Sequence, residues 1–387
     1  MDFELPEELK MVQRLVRDFV NERLRPLERS ILGGAADLSD AKEYLEPDVE
    51  AKLMEEVREM GLWGAAVPEE LGGAGLSTLG MCLVEEELAQ TVVPLNFGDV
   101  TPILYDCNEA QREEFLRPAL EGTKRPYMAL MEPESGSDIS GIKTEAVRED
   151  EDYVLFGKKL SMSRPGDDYF AVVFTADMSV GGITCFLVDK DTSGFIVGTA
   201  GEKIGWSSQI KEPILLVFDK CRVSAGNILG EAGKALQLGR KWLPGRRIVR
   251  SARSVGVARR LLDEATGRAQ MIESFGRPLS EQASIRAALA DIAMLVKAGM
   301  LMVYEAAWKV DMGELVRREA AMVKLFTTQA LHNVADRVAY IFNGPPHLEG
   351  LRMERLCRRA LAANAVELSL GLQRNVIAGD ILKGLRV

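Results

Sequence analysis

The sequence predicts an α+β protein in which a β segment lies between two helical segments. Over the first third of the chain, apolar residues recur every three or four positions, which is typical of amphipathic helices. Short runs rich in β-branched and aromatic residues follow, and long helical repeats then return. We therefore expect an N-terminal all-α domain (1–125), a middle β domain (126–232) and a C-terminal helical bundle (233–387).

The N-terminal segment shows the helical period most clearly between residues 5 and 27. Further helices are predicted at 47–60, where Gly61 ends the pattern, and at 79–90. The apolar stripe of the first helix consists of Leu5, Leu9, Val12, Leu15, Val16, Phe19, Val20 and Leu24.

The middle segment changes to short apolar runs bounded by Gly, Pro, Asp or Ser. No helical pattern of 10–15 residues separates these runs, so they favour an antiparallel sheet, folded as a barrel or sandwich, over βαβ units. The runs are YVLFG (153–157), YFAVVF (169–174), ITCFLVD (183–189), GFIVG (194–198) and ILLVF (214–218).

The C-terminal segment contains four long stretches with helical periodicity. They cover residues 247–272, 281–312, 314–342 and 352–385. Four long amphipathic helices joined by short connections predict a four-helix bundle.

Composition excludes several classes of function. The chain has 387 residues with 48 Lys and Arg against 58 Asp and Glu, and this net charge of −10 argues against nucleic-acid binding. With only two histidines, His332 and His347, a multi-histidine metal centre is not expected, and we predict no metal site.

The cysteines and the apolar runs bear on the compartment. Five scattered cysteines form no CxxC pair, which is typical of buried thiols in a reducing compartment. The first ten residues contain no signal core, and no uninterrupted apolar run approaches the ~18 residues that span a bilayer. We therefore expect a cytoplasmic protein without a membrane segment.

An arginine cluster, Arg246, Arg247, Arg250 and Arg253, is the most distinctive charged feature. Four cations within eight residues repel one another near the start of a predicted helix. Such a cluster is usually a solvated face, and the alternative is an anion-binding site. The residues by themselves leave both interpretations open.

Ten segments, in order and with matching spacing, resemble the acyl-CoA dehydrogenase family of flavoproteins. The resemblance covers nearly the whole chain and implies the fold of that family, with an N-terminal helical, a middle β and a C-terminal helical domain. The segments are MDFELPEEL, GLWGAAVPEELGGAGLS, ALMEPESGSDISGIKTEAV, FLVDKDTSGFIVG, VFDKCRVSAGNILGE, VGVARRLLDEA, FGRPLSE, AMVKLF, MERLCRRA and QRNVIAGDILKG.

The resemblance implies a reaction and a base. In the family, a carboxylate removes the α-proton of an acyl-CoA while the β-hydride moves to flavin N5 of FAD. The family's Y-E-G-T segment falls on Val366–Ser369, which makes Glu367 the implied base and Ser369 an implied cofactor contact. The alternative base position of some members falls on Arg246, beside Arg247, and a cation cannot take the proton. Arg246 could instead bind a CoA phosphate or an acidic acyl group, so Arg246 and Arg247 are implied substrate contacts.

Several implied flavin contacts depart from the family pattern. Met131 stands at the threonine or serine of the L-T-E-P segment, and Ser161 stands at the tryptophan of the W-I-T/S segment. The following hydroxyl, which faces flavin N5 in the family, is kept as Ser163. Ser137 is also kept, at a position associated with both FAD and substrate.

The contacts to the FAD of a neighbouring subunit change as well. Ile272 replaces the arginine of R-x-x-F-G, which pairs with the FAD pyrophosphate in the family, although Phe275 remains. The Q-x-x-G-G loop runs from Tyr340 to Gly344, and Pro345-Pro346 follows it. Leu368 replaces the glycine after the base and narrows the space for substrate.

The first hypothesis is an FAD-dependent acyl-CoA dehydrogenase, which assembles as a dimer of dimers and passes electrons to an electron-transferring flavoprotein. The substituted flavin contacts allow a second hypothesis, an FAD-poor partner subunit of a heteromeric dehydrogenase. A third is a redox-neutral flavoprotein on the same fold, such as an acyl-CoA desulfinase. The retained Glu367 argues against the third, because the resemblance implies that such enzymes replace the base.

Overall fold

The computed structural model describes residues 4–32, 45–98, 100–136, 138–161, 168–199, 214–343, 352–363 and 369–384. Its elements follow the predicted order of a helical segment, a sheet and a second helical segment.

The N-terminal segment is helical, as predicted. The first helix begins at Glu7, after Pro6, and ends at Phe19, where the chain continues as a π-helical turn (Val20–Leu24) and then a 3₁₀-helical turn (Arg25–Leu27). Ser77 caps the fourth helix by accepting a hydrogen bond from Gly80 N–H (3.1 Å). The helices are α1 (Glu7–Phe19), α2 (Glu28–Leu32), α3 (Pro47–Glu59), α4 (Thr78–Leu88), α5 (Glu109–Gln111) and α6 (Arg117–Glu121).

The middle segment forms one seven-stranded sheet. The strands are β1 (Arg125–Ala129), β2 (Glu145–Glu149), β3 (Asp152–Ser161), β4 (Tyr169–Asp177), β5 (Ile183–Asp189), β6 (Phe195–Thr199) and β7 (Ile214–Ser224). Their order is β1-β4-β2-β3-β7-β6, and β5 lies outside this path and pairs with β4 along residues 170–176.

Most strand pairs are antiparallel, as predicted, but β4 pairs in parallel with both β1 and β2. The β2–β3 hairpin lies between β1 and β4 in the chain, and this long connection provides the crossover that a parallel pair requires. The runs of apolar letters could not reveal this pairing, because they carry no information on strand direction.

Strand β4 is buried on both faces and joins the sheet to the N-terminal helices. Phe170 and Val172 point towards those helices, where the Phe170 ring lies 4.9 Å from the ring of Phe115. Ala171 and Val173 alternate with them and pack inside the sheet. This two-sided burial explains why the YFAVVF run is continuously apolar.

The C-terminal segment consists of long helices. They are α7 (Ala235–Met271), α8 (Ala283–Asp311), α9 (Arg317–Phe342), α10 (Arg352–Ala362) and α11 (Leu370–Leu382), and a short hairpin, β8 (Glu273–Ser274) and β9 (Arg277–Pro278), follows α7.

Two of these helices differ from their predicted bounds. Helix α7 begins at Ala235 rather than at residue 247, and it continues through Pro244. The predicted helix 352–385 is two helices, because α10 ends at Ala362 and Ser369 caps a new helix that starts at Leu370.

Helix α8 is long and apolar enough, by length and composition alone, to cross a bilayer. It packs against α4 of the N-terminal segment and against α7 and α9, and 22% of its most apolar 18 residues are buried. Buried core helices of soluble proteins pass the same test. The finding is weak evidence, and the predicted lack of a membrane segment stays a prediction.

Helices α4 and α7 hold the two helical segments together through buried ion pairs. The Arg253 guanidinium donates to both oxygens of Glu85, and Arg259 donates to Glu86, which also accepts from the Tyr304 hydroxyl (2.9 Å). Burial raises the pKa of Tyr304, and the neighbouring Glu86 adds to the rise. These contacts need the two helix backbones to lie close together.

Gly256 allows that approach. A Cβ atom built on Gly256 would lie 2.1 Å from the backbone oxygen of Glu86 and 2.9 Å from the Cβ of Ala89. No side chain fits there unless α7 moves away from α4.

We expect Gly256→Ala to lower the free energy of unfolding by about 2 kcal/mol or more, because the new methyl group forces the two helices apart. The matched control is Gly267→Ala on the same helix, where a Cβ atom meets nothing within 4 Å. This control should raise the free energy of unfolding slightly, by at most about 1 kcal/mol. Chemical denaturation measures both, and equal stability of the two variants would contradict the proposed close contact.

Candidate functional site

A cavity of about 990 Å³ lies between the N-terminal helices, the first half of α7, and α11. Its wall is largely apolar and includes Val67, Val84, Leu88, Phe97, Trp242 and Val376. A space of this size and character suits a sizeable apolar group.

Arginines of α7 enter this apolar wall. The predicted substrate residues Arg246 and Arg247 both line the cavity, and so does Arg250 one turn further along. Arg247 is buried, while Arg246 and Arg250 are partly buried. Because charges in such surroundings are weakly screened, these side chains favour an anionic group in the cavity. The solvated-face interpretation of the cluster does not apply to these three residues.

Sequence reasoning missed a buried carboxylate of this wall, that of Glu85. It lines the cavity and is 5% exposed. Two arginines converge on it, Arg253 through both carboxylate oxygens and Arg250 through one contact of 3.4 Å. Three consecutive glutamates inside an otherwise apolar helix were the signal that could have revealed it.

Gln373 on α11 is a second residue that sequence reasoning missed. It lines the cavity with 1% of its surface exposed, and its amide nitrogen donates to the backbone oxygen of Ser369 (3.3 Å). Within the described residues, its side-chain oxygen has no hydrogen-bond partner. A buried acceptor without a partner costs about 1–3 kcal/mol, so a donor from a bound ligand would be favourable here.

The predicted base lies outside the described residues, as do Ser137, Ser163 and Gly344. The described residues that follow Glu367 in the chain are nevertheless informative. Ser369 caps α11 by accepting a hydrogen bond from Leu372 N–H (3.4 Å), and Leu372 and Gln373 line the cavity. The chain therefore enters the cavity wall within five residues of Glu367.

Two predicted cofactor residues lie together at one end of the sheet. Met131 follows β1 and Ser161 ends β3, and the backbone N–H of Leu160 donates to the backbone oxygen of Met131 (2.8 Å). The Met131 side chain is partly exposed, whereas Ser161 is buried. Three further described residues are predicted to contact the cofactor. Ser369 caps α11, and Phe275 and Tyr340 belong to the C-terminal segment and present largely exposed rings.

A buried ion pair fixes the strand ends that carry Met131 and Ser161. The Lys159 ammonium is fully buried and donates to Glu132 (2.8 Å) and to the backbone oxygen of Leu130 (3.2 Å). Glu132 also accepts from the backbone N–H groups of Lys143 and Thr144, both at 2.9 Å. Burial by itself would raise the pKa of Glu132, but the hydrogen bond from Lys159 and those from residues 143 and 144 outweigh it and lower the pKa to about 2.

Comparison with known proteins identifies the family. Residues 6–123, 127–220 and 236–382 match the models of the acyl-CoA dehydrogenase N-terminal, middle and C-terminal domains. The chain belongs to the acyl-CoA dehydrogenase family. The family resemblance, the predicted fold class and the enzyme class, an oxidoreductase acting on CH–CH bonds, are thereby confirmed.

Individual relatives match over almost their whole length. The isobutyryl-CoA dehydrogenase of Dictyostelium discoideum is 31% identical over 98% of this chain and 90% of its own. The (R)-benzylsuccinyl-CoA dehydrogenase of Thauera aromatica is 32% identical over 99% of this chain and 97% of its own. The structure of butyryl-CoA dehydrogenase from Megasphaera elsdenii has a TM-score of 0.84 and 30% identity, and it covers 99% of this chain and 100% of its own.

Members of the acyl-CoA dehydrogenase family depend on FAD, and described residues in the cavity wall, at the strand ends and in the C-terminal segment carry groups of the kind that contact a flavin. Gln373 offers a buried acceptor without a described partner, and Ser161 places a hydroxyl at the strand end beside Met131. The rings of Phe275 and Tyr340 are exposed, so their aromatic faces are accessible to a ligand or to another subunit.

We expect Lys159→Met to lower the free energy of unfolding by about 3–5 kcal/mol, because it leaves the Glu132 carboxylate buried without its cation. The matched control is Lys143→Met, which removes only the exposed pair of that ammonium with Glu134 and should cost less than about 1 kcal/mol. Chemical denaturation at pH 7 measures both, and similar losses in the two variants would contradict a structural role for the buried pair.

The Lys159–Glu132 pair is expected to make the folded chain less stable at low pH. The pKa of Glu132 is lowered from the ordinary value of 4.5 to about 2 in the folded chain. Its carboxylate therefore stabilises the fold above about pH 4.5, and this contribution is lost as the pH falls through about 2. The stability difference between the wild type and Lys159→Met should shrink over the same range.

Proposed function

We propose that the protein catalyses the FAD-dependent α,β-dehydrogenation of an acyl-CoA thioester, with Glu367 as the base that takes the α-proton. The observation that supports this most strongly is the apolar cavity, whose wall includes α11 directly after the Glu367 segment. When bound, FAD supplies the acceptor of the β-hydride at its N5 atom. The chain's own residues bind the thioester, exclude water and remove the proton.

Arg246 and Arg247 bind an anionic part of the substrate in this proposal. Both line the cavity, and arginine stays protonated under all relevant conditions, so neither can act as the base. The two family positions for the base fall on Glu367 and Arg246, and Glu367 alone is a carboxylate. In this proposal, the cations on α7 bind the substrate, and the carboxylate that precedes α11 removes the proton.

The cofactor contacts come from three parts of the chain. The sheet contributes one group of residues, the helical bundle another, and the cap of α11 a third. The proposed contacts are Met131, Ser137, Ser161, Ser163, Phe275, Tyr340, Gly344 and Ser369, and Ser137 also contacts the substrate.

The proposal includes the partners of the reaction. Family members use acyl-CoA substrates and an electron-transferring flavoprotein, and we propose that protein as the electron acceptor here. A dimer of dimers is supported by apolar side chains that the C-terminal segment leaves exposed, among them Met271, Trp308, Leu315 and Leu382.

We expect Glu367→Gln to slow flavin reduction by acyl-CoA by a factor of about 10²–10⁴, because the amide cannot accept the α-proton. Substrate affinity should change only a few-fold. The matched control is Glu314→Gln, which changes a cavity-lining glutamate outside the predicted site. Anaerobic stopped-flow spectroscopy measures the rates, and a Glu367→Gln enzyme that bleaches its flavin at the wild-type rate would exclude Glu367 as the base.

A second candidate function is that of an FAD-poor partner subunit in a heteromeric dehydrogenase. The observation in its favour is the set of substituted flavin positions, Met131, Ser161 and Ile272. Loss of hydrogen bonds worth about 1–3 kcal/mol each would weaken FAD binding strongly.

Flavin stoichiometry separates the two candidates. We expect the chain, expressed and purified by itself, to carry about one FAD per chain, measured from the visible absorption spectrum and the protein concentration. A protein that stays colourless after incubation with FAD would favour the partner subunit. A flavin-loaded protein that converts acyl-CoA without being bleached would favour the redox-neutral alternative.

A further inference from the structure

A second cavity, of about 380 Å³, lies between the 3₁₀-helical turn that begins at Arg25 and the last turns of α7. It shares no described lining residue with the cavity of about 990 Å³. Its wall is charged, with three cations from Arg25, Arg260 and Arg268 and two carboxylates from Asp263 and Glu264.

One of these carboxylates and one of these cations belong to a closed network of ion pairs. Glu264 contacts Arg260 (2.8 Å) and also Arg352 of α10 (3.0 Å). The same two arginines contact Glu28, at 3.4 and 2.8 Å. Two cations and two carboxylates balance one another here, so this network leaves no surplus negative charge for a further cation.

Arg25 lies beside this network without joining it. Its side chain is partly buried, its Nε is buried without a hydrogen-bond partner, and it has no ion pair among the residues that the structure describes. Burial lowers the pKa of Arg25 and the neighbouring Arg260 lowers it further, and the nearby carboxylates do not reverse this. The remaining carboxylate of the wall, Asp263, is exposed, where water screens its charge. The surroundings of Arg25 therefore do not compensate its charge.

Arg268 is held in one orientation by an aromatic ring. Its Cζ lies 5.2 Å from the ring centroid of Phe342, and it donates one long hydrogen bond (3.5 Å) to the backbone oxygen of that residue. Its Nε is buried without a partner among the described residues. A guanidinium that lies over a ring directs its N–H groups outwards, where an anion can accept from them. Arg268 is therefore an oriented cation with donors still available.

From this geometry we propose that the second cavity binds an anion of the phosphate class, a phosphate ester or a diphosphate, through Arg25 and Arg268. A phosphate group has three or more acceptor oxygens and can serve two guanidinium groups at once. Arg25 belongs to the N-terminal segment and Arg268 to α7, so the bound anion joins the two helical segments.

The test is isothermal titration calorimetry of the purified full-length protein with sodium pyrophosphate, at an ionic strength kept constant with sodium chloride. We expect saturable binding to the wild type. Arg25→Gln and Arg268→Gln should each weaken it about 10-fold or more, because each removes a hydrogen bond between charged groups. Binding of equal strength in the wild type and both variants would overturn the inference.

Two control variants locate the anion. Arg23→Gln removes an exposed arginine, paired with Glu56, from the same part of the chain and should keep the wild-type affinity. Arg246→Gln changes the large cavity and should keep it as well. Loss of binding in Arg246→Gln, with binding retained in Arg25→Gln, would place the anion in the large cavity and contradict the proposal.

Thermal unfolding separates anion binding from a purely structural role of Arg25. Pyrophosphate should raise the midpoint of the wild type, because a ligand that binds only the folded chain stabilises it, and should leave Arg25→Gln unchanged. Arg25→Gln breaks no described ion pair, so the variant should fold. A variant that is less stable by the same amount with and without pyrophosphate, at unchanged FAD content, would assign Arg25 a structural role and overturn the inference.

FAD content identifies the source of the phosphate groups. If a free phosphate compound fills the cavity, the purified protein binds pyrophosphate and Arg25→Gln keeps the FAD content of the wild type. If the diphosphate of FAD fills it, the purified protein binds no added pyrophosphate, and Arg25→Gln and Arg268→Gln lose FAD while Arg23→Gln keeps it. A protein that binds no pyrophosphate, with full FAD content in all three variants, would refute the site. None of these measurements involves flavin reduction, so failure of the proposed dehydrogenation is a separate result.

Discussion

The contact between α4 and α7 is the constraint on which the rest of the structure depends. Glu85 and Glu86 are buried on α4 and are matched by Arg253 and Arg259 on α7. Each carboxylate would be costly to bury without its cation, so the two helices are held in one register. Gly256 lies between the two arginines in sequence and removes the side chain that would keep the backbones apart. The N-terminal and C-terminal helical segments therefore form one wall, and the cavity opens where α7 continues towards its own N-terminus.

The same helix supplies both the structural and the functional charges. Arg253 and Arg259 of α7 pair with buried glutamates of α4. Nearer the start of the helix, Arg246, Arg247 and Arg250 line the cavity. The arginines of α7 bind anions well but cannot accept a proton, so the base has to come from another element. In the proposed function that base is Glu367, which precedes α11 in the sequence, and α11 lines the cavity together with α7. The proposed roles of binding and proton transfer therefore belong to different segments of the chain.

Local patterns predicted much of the fold, and long-range contacts account for what they missed. Helical and strand periods depend on neighbours in sequence, so the three-part layout and most helices were predicted correctly. Helix α7 starts earlier than expected, because Pro244 is a strong helix breaker by itself but is tolerated within this packed helix. The parallel pairing of β4 was missed because strand direction depends on a remote partner. The arginine cluster could be recognised from composition, but the importance of Gln373 could not, since the lack of a partner for its side-chain oxygen is a property of the folded chain.

The flavin side of the site shows how a family scaffold can persist while its side chains change. The Lys159–Glu132 pair and the hydrogen bonds to Glu132 hold the end of β3 against the segment after β1. The backbone hydrogen bond from Leu160 to Met131 then sets the spacing of the strand ends independently of the side chain at Met131 or Ser161. Substitution at these two positions removes particular side-chain contacts, but it leaves the backbone groups and the shape of the strand ends in place. Because backbone donors and acceptors do not depend on residue type, a cofactor that relies on them tolerates such changes. The buried ion pair therefore holds the backbone of these strand ends in place whichever side chains stand at positions 131 and 161.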